Sequence, residues 1–123
     1  MDTLISENYY QLQVLNETVI CKVNKRISVE EFSHMIDHIL EIAGTSGAFK
    51  MLIDFSQVDF SDLTMMERHM AGLKLVEAWG NRKVAGVVQK KFINKHLENV
   101  ANNRGGNVFA THDYDEACKW LWS

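Results

Sequence analysis

The sequence predicts an α/β fold: a mostly parallel five-stranded sheet with an antiparallel hairpin at its N-terminal edge and four helices. Three observations carry this. Residues 51–53 and 84–88 are short, wholly apolar runs, as suits strands buried on both faces. Stretches with apolar residues at helical spacing alternate with them. Ahead of both lie two β-like stretches separated by only two residues.

The first stretch is Tyr9–Leu15, where Tyr10, Leu12 and Val14 alternate with Gln11 and Gln13. The second is Thr18–Val23. Asn16-Glu17 between them has the length of a tight hairpin turn. Ser28 and Glu31 then form a capping box, S-x-x-E, which opens a helix. Phe32, Met35, Ile36, Ile39, Leu40 and Ala43 follow at helical spacing, and Gly44 is placed to end that helix with positive φ.

The strand Met51–Phe55 comes next, then a helix from about Leu63 to Trp79, stopped by Gly80-Asn81. It carries two apolar stripes, Met66-Met70-Leu73 and Met65-Gly72-Val76-Trp79. Val84–Val88 is the next strand, in which Gly86 would let another backbone approach closely. A helix over Phe92–Asn102 has Ile93, Leu97 and Val100 inward. A turn at 102–106 leads to a strand at 108–110. Asp113 caps a last helix, with Glu116 inside it and Tyr114, Ala117, Cys118 and Leu121 as its apolar face.

The length of 123 residues suits one domain, 1–123. Hydrophobic content of 46% and charged content of 24% are those of a soluble globular protein. The formal charge of -3 and the absence of a basic stripe argue against nucleic acid as a partner. The cluster Lys90-Lys91 with Lys95 reads as a solvated helix start. Cys21 and Cys118 form no C-x-x-C pair and read as buried free thiols, which fits a reducing compartment. No signal peptide or membrane-length apolar run is present, so a cytoplasmic location is expected, with no transmembrane segment.

No catalytic constellation emerges. The nucleophile elbow and the phosphate-cradling glycine loops are both missing. His34 and His38 share a helical face, but H-M-I-D-H lacks a metalloprotease glutamate and a third ligand, so no metal is expected. His69 reads as a partly buried, hydrogen-bonded side chain. His112 follows the last strand, but its neighbour Asp113 is already explained as a cap. The protein is expected not to be an enzyme and to need no cofactor.

The informative segment is 54–64. Asp54, Phe55 and Ser56 would sit at the carboxyl end of a parallel strand, where open sheets bind their partners. Residues 57–61 then lead to a helix start near Asp62–Thr64, whose unpaired N–H groups suit an anion. The ordinary reading of the same residues is a cap formed by Asp62 or Thr64, with Glu67 completing a box after Thr64.

Residues 54–62, DFSQVDFSD, resemble the central segment of STAS domains, the group named for sulfate transporters and anti-sigma factor antagonists. Asp54, Ser56, Val58 and Asp62 match its pattern. In phospho-regulated members two serines and a glycine follow the second aspartate; here Leu63, Thr64 and Met65 occupy those places, and Thr64 keeps the hydroxyl. The element order and the C-terminal F-A-T-H-D-Y-D-E-A-C-K-W-L are similar to the SpoIIAA-like family, a STAS relative whose fold also resembles CRAL-TRIO lipid carriers.

That resemblance implies a non-enzymatic regulatory module binding a protein partner, often as a homodimer. Asp54, Ser56, Ser61, Asp62 and Thr64 are its interaction and phospho-switch candidates. The alternative is a carrier of a lipid or small apolar ligand, with Met66, Met70 and His112 as pocket candidates.

Overall fold

The computed structural model describes residues 5–93 and 96–123, with side chains at all of these except 96 and 97. The hairpin pairs β2 (Tyr10–Leu15) with β3 (Thr18–Val23), closing at Leu15 opposite Thr18. Asn16 and Glu17 both take positive φ, 51° and 59°, as a two-residue turn matched to the strand twist demands. A two-residue strand, β1 (Ile5–Ser6), adds a sixth strand to the five predicted, antiparallel to β2. Its brevity leaves no alternation to read in the sequence.

From β3 onward the sheet is parallel, through β4 (Lys50–Asp54), β5 (Lys83–Val87) and β6 (Asn107–Thr111). Spatial order follows chain order. Crossovers of one hand that all step the same way must cross the same face. That face carries α1 (Val29–Ser46), α2 (Met65–Trp79) and α3 (His96–Asn102). The segment after β6 forms α4 (Tyr114–Leu121), which packs on the opposite face.

Strand parity sorts the core accordingly. Met51, Ile53 and Val84 meet Met35, Ile39, Leu75 and Trp79 on one side; Leu52, Ala85 and Val87 meet Ala117 and Leu121 on the other. Met51, Leu52 and Ile53 are fully buried, as their unbroken apolar run requires.

Three local expectations change. The first helix runs through Gly44 and ends at Gly47, whose φ is 78° and whose N–H donates to the Ala43 carbonyl at 2.9 Å. Two nearby glycines competed for that stop, and the later one takes it. The single helix over Phe92–Asn102 is broken: Lys90–Phe92 form one 3-10 turn, Ile93 is extended, and α3 starts at His96. The third lysine of the predicted cluster, Lys95, and the inward side chain expected of Leu97 lie outside the described residues. Gly86 admits no neighbouring backbone, since a Cβ built on it meets nothing within 4 Å.

Candidate functional site

The loops after β3 and β4 lie side by side because those strands are parallel neighbours. Asp54 ends β4, and its Oδ1 accepts the Ser56 N–H at 2.9 Å. Asp59 repeats the turn, accepting the Ser61 N–H at 2.8 Å, and that bond holds its carboxyl below the usual range. Val58, 1% exposed, pins the loop to the core between the two turns.

The loop delivers Thr64, the N-cap of α2. Thr64 Oγ1 accepts the Glu67 N–H at 3.1 Å, and Glu67 Oε1 accepts the Thr64 N–H at 3.0 Å. The Thr64 N–H is the main cause of a lowered Glu67 carboxyl pKa, with Arg26 adding to it. Of the two cap candidates, then, Thr64 is the cap. Asp62 instead accepts from Arg26 Nε at 2.9 Å, while Arg26 Nη2 lies 3.3 Å from Glu67 Oε2. Arg26 thereby joins the β3–α1 loop to both the β4–α2 loop and the first turn of α2.

Asp54, Ser56, Ser61, Asp62 and Thr64 all lie along this rim, at the carboxyl ends of the strands. Asp54 is half-buried; the other four are exposed. Beside them Met65, Met66 and Met70 are 58%, 67% and 49% exposed.

Met66 and Met70 are exposed, as is His112, and none of the three lines the cavity between α2 and the sheet. The buried face of α2 is Gly72, Leu75 and Trp79, which turns the Met66-Met70 stripe outward. A cavity does exist, between that buried face, the sheet and the neighbouring loops, and it holds about 130 Å³. Its wall includes the phenylalanines Phe32, Phe55, Phe60 and Phe92, which form a chain of ring contacts with centroids 5.2–6.5 Å apart. Gly86, Leu75 and Ala71 complete its floor and side, and Arg26, Glu67, Arg68 and Glu98 bring charge to it.

Arg26, Arg68 and Phe60 escape a reading of the sequence because no local motif marks them. One signal was available: parallel neighbours place their C-terminal loops together, so Arg26 in one loop could be matched to Asp62 in the next.

His38 Nδ1 lies 2.7 Å from the Tyr10 hydroxyl, so His38 is half-buried rather than exposed as its partner His34 is. Burial is the main cause that pushes the Tyr10 hydroxyl up to about 12. Among the described residues no group of three or more His, Cys, Asp or Glu side chains could hold a metal ion. Cys21 is buried and Cys118 half-buried, both free, and burial raises both thiols. Asp113 caps α4 by accepting from the N–H groups of Asp115 and Glu116. Among the described residues no helix is long and apolar enough to cross a membrane.

Comparison with curated proteins gives no match. The family model described as SpoIIAA-like matches residues 18–122, from the start of β3 to just past the end of α4. That span holds the parallel strands, helices α1 to α4 and the rim described above, and the chain belongs to the SpoIIAA-like family, a domain of the anti-sigma-factor-antagonist, STAS-like kind.

Proposed function

We propose that the protein is a non-enzymatic regulatory module that binds a protein partner through the rim running from Ser56 to Met66 and along α2. The observation that carries this reading is the run of exposed methionines at the start of α2. Exposed apolar side chains gathered beside a rigid helix start mark interaction surfaces, and methionine adapts to varied partners. Family membership supports it, since SpoIIAA-like domains generally bind proteins. Two free thiols suit a cytoplasmic setting.

The same rim suits a phospho-switch at Thr64, with Ser61 as the second candidate. A phosphate there would add about −1.5 to −2 charge. It would stand beside Glu67 and Asp62 and compete with both for Arg26. Partner release would follow from the rearranged rim.

The test uses Thr64→Ser and Thr64→Asp, because serine and aspartate preserve the cap that alanine would remove. A partner captured by the wild-type chain is purified and titrated against both variants and against Met66→Gln/Met70→Gln. Weaker binding by the aspartate and glutamine variants, with the serine variant unchanged, is expected. Equal affinities throughout would remove this rim from the interface.

The cavity favours a second reading, a carrier of a small apolar ligand, because its phenylalanine wall matches the usual lining of ligand sites. Native mass spectrometry of freshly purified protein tests it through an added mass; a clean apo mass counts against it.

A further inference from the structure

Four charged residues line the cavity, and three of them are held by partners. Arg26 is held by Asp62 and Glu67, and Glu67 in turn by Arg26 and the Thr64 N–H. Glu98 Oε2 accepts the Ala110 N–H at 2.9 Å. Arg68 differs: its backbone N–H bonds the Thr64 carbonyl, but among the described residues its guanidinium makes no ion pair and no hydrogen bond. Arg68 is half-buried, against a wall that is otherwise mostly hydrocarbon. Arg68 thus brings a cation to the edge of this wall, and its planar guanidinium fork matches a carboxylate.

Size narrows the class further. At about 130 Å³ the cavity is close to one of ~150 Å³ that takes up benzene. A ring or a short aliphatic chain fits wholly inside; a long acyl chain would have to project from its open mouth.

We propose that this cavity binds a small organic carboxylate, an aromatic or short-chain aliphatic acid. The apolar body lies among Phe32, Phe55, Phe60 and Phe92, and the carboxylate pairs with the Arg68 guanidinium. This rests on the carrier reading above and names the chemical class of its ligand. The exposed Met66 and Met70 are not among the residues lining this cavity, although Phe60 and Leu63 of the same loop are.

The experiment titrates the full chain by calorimetry with benzoate, with benzyl alcohol as the neutral match, and with hexanoate and palmitate as a length series. Benzoate is expected to bind about tenfold more tightly than benzyl alcohol, as a charge-assisted hydrogen bond implies. Arg68→Gln should erase that difference while leaving benzyl alcohol unchanged, and Arg68→Lys should restore part of it. Gly86→Val should abolish binding of every probe, because a side chain at that position projects into unoccupied space. Thermal unfolding of each variant establishes that it is folded.

Equal affinity for acid and alcohol, or an Arg68→Gln variant that still prefers the acid, overturns the carboxylate assignment and leaves the carrier reading standing. Palmitate binding more tightly than benzoate overturns the size limit and with it the proposed class. Failure of all four probes to bind the wild-type chain overturns the class and the carrier reading together.

Discussion

Arg26 and Asp62 meet across two neighbouring loops, with Nε 2.9 Å from Oδ1. The pair is unevenly buried: the Arg26 side chain is 25% exposed and the Asp62 side chain 75%. Solvent screening therefore limits its worth to stability, to below about 1 kcal/mol. Its effect is on order. Arg26→Ala should leave the melting temperature nearly unchanged but speed amide hydrogen exchange at residues 60–64. Unchanged exchange there would show that Val58 and the aspartate turns hold the loop unaided.

The cap of α2 predicts a pH dependence. Thr64→Ala should destabilise the fold by about 1 kcal/mol, and Thr64→Ser by much less. The Glu67 carboxyl sits below its ordinary value of 4.5, chiefly through the Thr64 N–H. A lowered carboxyl pKa adds stability that is present above the unfolded value and lost as pH falls through the folded one. The stability difference between wild type and Glu67→Gln should thus be constant near neutrality and shrink below pH 4.5. Urea unfolding at neutral and acid pH measures it; a difference that grows in acid would contradict the sign.

Gly86 lies inside β5 at ordinary φ, and a Cβ added there meets nothing within 4 Å. Glycine in a strand interior is unfavourable by roughly 0.5–1 kcal/mol relative to alanine. Gly86→Ala should therefore raise stability by about that amount in a urea titration. A loss of stability would mean that the cavity wall is closer than described.

Thr18 is completely buried, and its hydroxyl accepts the Trp122 indole N–H at 2.8 Å while donating to the Asn16 carbonyl at 3.0 Å. Thr18→Val keeps the shape and removes the indole's acceptor. Trp122 is 36% exposed, so its freed N–H can turn to water, and a loss of about 0.5–1.5 kcal/mol is expected in denaturant titration. Trp122→Phe, which removes the donor as well, should cost less when combined with Thr18→Val than the two single changes summed.

Features encoded within a few residues were readable in advance. The capping boxes Ser28/Glu31 and Thr64/Glu67 and the Asp113 cap are local hydrogen-bond patterns, and all three form. The apolar runs at 51–53 and 84–88 fix strands for the same reason. Positions set by tertiary packing were not readable. Met66 and Met70 fit a helical stripe equally well facing in or out, and Gly72 on the other face decides for out. The cavity depends on several elements converging, so Phe60, Arg68 and Gly86 gain their roles only in three dimensions.

The bond between Trp122 and Thr18 also sets an orientation. It holds the C-terminal end of the described chain at the start of β3, whereas Asp54 and Thr64 lie at the other end of the parallel strands. A fluorophore or surface tether attached at position 123 would accordingly stand on the far pole from the methionines. Immobilised that way, the molecule would present its rim outward, unobstructed by its own anchor.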